Sequence, residues 1–227
     1  MSSRIAYAPA RNSPARWARV AVIAQGAFVL SWLVAMFWQG SRYDPLAHSI
    51  SDMYAVTAPG GLFLVVVLTL CGLATVLFAV LAVWPALRTA GWTAAVGSAL
   101  LALSIFGLGN ALSPIEREGC RLADPGCTAA DQAANLGGRL DTLLSSVGIV
   151  FFIAATFFLA AAMKRVPGWS RLVWPTRAVG IVFIVLAVAF VGADAADLGG
   201  LFERLLAAFG AAAIAALALH VARSPRP

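Results

Sequence analysis

Apolar positions in this chain come in long unbroken runs, not at the spacing of a half-buried helix or strand. Six runs are each long enough to cross roughly 30 Å of hydrocarbon as a helix. They fall at approximately 18–38, 61–84, 91–112, 141–163, 178–196 and 205–222, with a polar stretch at 113–140. Trp17, Trp38, Trp84, Trp92, Trp169 and Trp174 stand at or just beyond the run ends, where an aromatic belt meets the lipid headgroups. The pattern predicts an all-α integral membrane bundle of six transmembrane helices, forming one domain over 1–227. The first run has a basic flank like a signal peptide (Arg4, Arg11, Arg16, Arg19). It is too long for one and lacks a small-x-small cleavage site before Arg42, so it is read as a retained span.

Composition agrees. Charged residues are 11% of 227 and the mean hydropathy is +0.88, whereas a soluble domain carries about 25% charged residues. The net charge of +6 does not point to nucleic acid, because the basic residues flank apolar runs and form no patch interleaved with aromatics. They read instead as topology signals and contacts to membrane lipids. Eleven of the sixteen Lys and Arg lie on the side of the N-terminus, which predicts that both termini are cytoplasmic. All ten acids fall on the other side. Glu116, Glu118, Asp124 and Asp131 sit in the 113–140 loop and read as its solubilising groups. Asp44, Asp52, Asp141, Asp194, Asp197 and Glu203 sit at span edges, as if ringing the outer mouth of the bundle. Cys120 and Cys127, seven apart in the same loop, predict a disulfide beyond an oxidising face. Cys71, inside the second span, reads as packing.

Candidate chemistry concentrates on the acidic side. In the first outer loop Asp44, His48 and Asp52 are spaced i, i+4, i+8, so His48 and Asp52 share a face if the stretch after Pro45 is helical. Such a pair can act as acid and base, with Ser51 and Tyr54 close by. A capped helix start with His48 at the water interface is the structural alternative. Asp194 and Asp197 close the fifth span, Asp194 one turn deeper, where a carboxylate is a functional candidate by default. Arg204 and Arg139 are the cations available to them, and plain ion pairing is the alternative. Asn110 ends the third span and Asp141 opens the fourth, where it reads first as an N-terminal cap. Gln25 reads as interhelical hydrogen-bond glue, and His220 lies at the inner face, remote from His48. Catalytic roles are therefore expected of Asp52, Asp194 and His48, with Tyr54, Asn110, Asp141, Asp197 and Arg204 contacting substrate.

Two His on opposite faces are too few for a zinc hydrolase, and no haem pair, P-loop, nucleophile elbow or dinucleotide fingerprint occurs. No metal and no cofactor is expected.

The sequences His48-Ser-Ile-Ser51-Asp52, Leu112-Ser-Pro-Ile115 and Gly200-Leu-Phe-Glu-Arg204 together resemble the domain of unknown function 998 family of small polytopic prokaryotic membrane proteins. The resemblance implies a multi-pass protein of a prokaryotic plasma membrane. It supplies an architecture and no reaction. Family members often carry a His before the fourth span, where this chain reads Ala134-Asn135-Leu136-Gly137.

The leading functional expectation is an intramembrane, metal-independent acid–base enzyme acting on a lipid-soluble, lipid or isoprenoid-like molecule, in the style of a terpene cyclase or a lipid-modifying enzyme. A proton-coupled carrier using the same acids is the second. It is weakened because no broken helix is legible at the midplane and the polar groups lie on one face. A non-catalytic lipid- or protein-binding protein is the third. Six spans also allow a homo-oligomer. No convincing repeat relates the two halves.

Overall fold

The computed structural model describes residues 14–193 and 196–223. Among these every regular element is helical, and six helices are long and apolar enough to cross a membrane: Pro14–Trp38, Gly61–Ala90, Trp92–Gly109, Leu136–Met163, Ser170–Ala193 and Gly199–Arg223. They follow the six apolar runs, with ends displaced by several residues. The largest displacement is at the fifth span, which starts at Ser170, followed by the end of the second at Ala90 and the start of the sixth at Gly199.

Consecutive spans pack side by side, and the sixth returns to the first, so the bundle is a ring closed in chain order. Aromatic rings cluster partway along its axis. Phe106 of the third span lies 4.9 Å from Phe152 of the fourth and 6.0 Å from Phe28 of the first. Phe152 lies 4.6 Å from Phe183 of the fifth. In lipid there is little hydrophobic force between helices, so close packing and interhelical hydrogen bonds hold them. Gln25 donates to Thr75 at 2.9 Å, and Cys71 donates to the Ala24 carbonyl. Both tie the first span to the second, as expected for Gln25.

The third span is broken. Ser104 is extended (ψ 171), its hydroxyl donates to the Leu101 carbonyl at 2.8 Å, and Ile105–Gly109 form a π turn. No broken helix is legible in the sequence, yet this one is discontinuous. Glycines on both flanking helices make room for the irregular backbone. A Cβ at Gly72 would lie 2.3 Å from Ala111 N, and one at Gly148 would lie 2.6 Å from Ile105 N.

The loops on one face fold back over the ring and close it. The first, between Trp38 and Gly61, consists of turns and a 3-10 helix, Ser51–Tyr54. The stretch after Pro45 is not a continuous helix, so the condition under which His48 and Asp52 would share a helical face is not met. Arg117 donates to the carbonyls of Tyr54 (2.8 Å) and Ala55 (2.9 Å), and Val56 N to that of Glu118. From the other side the sixth span grips the same loop. Arg204 donates to the carbonyls of Pro45 and His48 at 2.8 Å each and to the Tyr43 hydroxyl, while Leu201 N bonds to Leu46 O. Cys120 and Cys127 form the expected disulfide, Cα–Cα 6.1 Å.

Candidate functional site

Beneath this roof lies a cavity of about 160 Å³ at the axis of the ring. All six spans reach it. Its floor is Phe28, Phe106 and Phe183, and its wall includes Leu68, Ile149 and Leu206. Its polar groups gather at the roof: Glu116, Asp141, Glu203, Tyr54, Ser51 and Asn110. An apolar pocket with a few convergent polar groups is the usual form of a small-molecule site.

Each acid is brought there by a local feature. Asp141 lies a turn and a half inside the fourth span because Asn135 caps that helix, accepting from Gly138 N at 2.7 Å. Asp141 is therefore not the cap it was read as; it accepts from the Tyr54 hydroxyl at 3.1 Å. Glu203, on the first turns of the sixth span, accepts from Ile50 N at 2.6 Å. Glu116 and Glu118 arrive on the folded-back loop and are 4% and 9% exposed. Their reading as loop solubilisers is overturned, because the Arg117 clamp turns that segment inward. Glu118 accepts from Ser51 and Gln132, and Gln132 also reaches Asp52 at 3.2 Å. Glu116 makes no hydrogen bond among the described residues.

The electrostatics are unusual for so many carboxylates. Asp52, Glu116, Glu118 and Asp141 are each at most 9% exposed. Among the described residues none of them, nor Glu203, makes an ion pair; that of Arg121 with Asp124 (2.5 Å) is half-buried within the long loop. Arg117 and Arg204, which hold the roof loops, direct their donors at backbone carbonyls and Tyr43. Burial, helped by the charge of Asp141, pushes Glu116 up to about 8. Burial and the neighbouring acids push Glu118 up to about 9. Burial also raises Asp52, against the Leu122 N–H that it accepts at 2.6 Å. An uncompensated buried carboxylate neutralises in this way by holding its proton. Burial and Asp141 likewise keep the Tyr54 hydroxyl well above its ordinary range, so it stays a donor.

Of the residues singled out in the sequence, Tyr54, Asn110 and Asp141 meet at the cavity. Asp52 lies behind the roof, fully buried, with Oδ2 unpartnered. His48 is half-buried against the Tyr43 ring, its Nδ1 accepting from Asp44 N. Arg204 holds the first loop rather than an acid. Asp197 is exposed in the turn before the sixth span at φ 54, a conformation Asp tolerates. The fifth helix ends at Ala193, so Asp197 is not on its face, and Asp194 lies outside the described residues. His220 packs on Trp169 at the opposite face. Among the described residues no group of three His, Cys, Asp or Glu is arranged to hold a metal ion. Glu116 and Glu203 were missed as site residues. A Thr128–Asp131 capping box and the Asn135 cap are the local signals that the long loop is structured.

A ring of six apolar helices long enough to cross a membrane, with a loop-roofed acidic cavity, defines a polytopic membrane protein with an internal cavity. The family model for the protein of unknown function DUF998 matches residues 22–220, and the chain belongs to that family. No curated protein and no solved structure matches it.

Proposed function

We propose that the protein is an intramembrane enzyme that performs acid–base chemistry on a lipid-soluble molecule held in the roofed cavity. The observation that carries this reading is Glu116. It is a buried carboxyl with no hydrogen bond among the described residues, lining an aromatic-floored cavity and keeping its proton near neutral pH. Such a group is a general acid at its working pH. Asp141, oriented by Tyr54, is the matching base. A proton delivered by Glu116 and another removed by Asp141 leave the substrate's composition unchanged. The reaction class is thus an isomerisation or cyclisation needing no co-substrate. Glu203 and Asn110 orient the polar end of the molecule, and the Phe floor shields the apolar end from water. Asp52, Glu118 and His48 hold the roof in place. The excess of Lys and Arg at the terminal face and the disulfide at the roofed face support cytoplasmic termini and an extracytoplasmic site.

Lipid-extract profiling of membranes with and without the protein tests this, repeated for Glu116→Gln and Asp141→Asn. A lipid product that disappears in both variants, with unfolding midpoints unchanged, is the expected result. A product unaffected by either substitution removes these acids from the chemistry. The break in the third span at Ser104 favours a second reading, a proton-coupled carrier, since discontinuous helices often line transport sites. That reading is distinguished by acid-dependent solute flux in proteoliposomes with an unchanged lipid profile.

A further inference from the structure

The terminal half of the ring holds a second cavity of about 130 Å³, lined by Leu101, Phe152, Leu159, Val179, Ala213 and Leu217 among others. It continues the roofed cavity along the same helices. The fourth span contributes Asp141, Ser145 and Ile149 to the first cavity and Phe152, Thr156 and Leu159 to the second. The fifth contributes Phe190 and Phe183, then Val179 and Thr176. Between the two stands a wall one layer of rings thick. Phe183 faces the first cavity and Phe152 the second, with centroids 4.6 Å apart.

The second cavity offers a polar ligand almost nothing. The Thr156 hydroxyl donates to the Ile153 carbonyl and that of Thr176 to Met163 Sδ. From Asp141 to Leu159 the fourth span rises about 27 Å, close to the full hydrocarbon thickness of roughly 30 Å. We infer that the two cavities are one site for a single long-chain amphiphile, its polar end among Glu116, Asp141 and Glu203 and its hydrocarbon tail in the cavity beyond Phe152. Rotation of the Phe152 and Phe183 rings joins the two compartments when the tail enters. The inference rests on the substrate site proposed above and adds its chain length: the substrate class is a long-chain lipid carrying a small hydrogen-bonding head. A short-chain molecule fills the roofed cavity alone.

Photolabelling of the full chain in lipid nanodiscs tests this with two probes, hexadecanol and octanol, each bearing a diazirine at the last carbon. Hexadecanol is expected to label Ala155, Thr156 or Leu217, and octanol to label Ile149 or Phe183. Ala213→Phe fills the second cavity and should cut hexadecanol labelling there about tenfold or more, because each buried methylene it excludes carries roughly a fourfold preference. Octanol labelling stays as it was. Val179→Phe, from the facing wall, repeats the test if the first variant does not fold. Hexadecanol that labels lipid-facing Val185 or Val188, or that is indifferent to both fillings, overturns the inference while octanol at Ile149 leaves the roofed site standing. Octanol absent from the roofed cavity overturns the site itself.

Discussion

The two halves of this ring are held by different forces. The roofed half is polar at its core: Tyr54 donates to Asp141, and the Arg204 and Arg117 clamps donate to loop backbone. The terminal half is apolar and depends on shape, as where Gly180 abuts Thr156 or Gly97 abuts Leu159. One half responds to protons and hydrogen-bond partners, the other to volume. A site for chemistry needs the first kind of environment, and a seat for a hydrocarbon chain needs the second.

The contrast can be broken most strongly with pH. Glu116 and Glu118 have folded values of about 8 and 9 against an ordinary 4.5. Their contribution to stability is whole below about pH 4.5 and is lost as pH rises through 8 and 9, by an amount on the order of several kcal/mol. Hydrogen exchange should therefore show the roof loosening from about pH 6 to pH 9 while the terminal half stays protected. Glu118→Gln should flatten that dependence. Equal loosening of both halves would erase the distinction. Next in size is Arg204→Ala, which strips the carbonyls of Pro45 and His48 and the Tyr43 hydroxyl of their donor. A loss of about 3 kcal/mol, read by thermal unfolding, is expected. The smallest effect sharpens the other side. A Cβ at Gly180 would sit 2.2 Å from Thr156 Oγ1, so Gly180→Ala should cost about 1–2 kcal/mol at every pH, with the roof's exchange unchanged.

The sequence reveals what depends on solvent and hides what depends on contact. Lipid sets the span pattern, and an oxidising face goes with the Cys120–Cys127 bridge, so both are legible residue by residue. Glu116 and Glu118 are not, because a charged, Pro- and Gly-bearing stretch reads as solvated unless the Arg117 clamp on Tyr54 and Ala55 is known. Asp141 was misplaced for a related reason. Gly137 and Gly138 look like loop, yet they serve close approach, a Cβ at Gly138 falling 1.9 Å from Gln132 O. Asn135 therefore caps a longer helix and carries Asp141 inward. The break at Ser104 leaves only Gly107 and Gly109 as its trace in an otherwise apolar run, and glycines are common in spans.

The grip of Arg204 on Pro45 and His48 joins the last helix to the first loop, across 159 residues for the Pro45 contact. During synthesis, which delivers the N-terminal segments first, five helices can be in the bilayer while the chamber still has no lid. The protein thus acquires its closed interior only once the sixth helix has been made. A chain stopped before its sixth helix would be inserted, anchored and open.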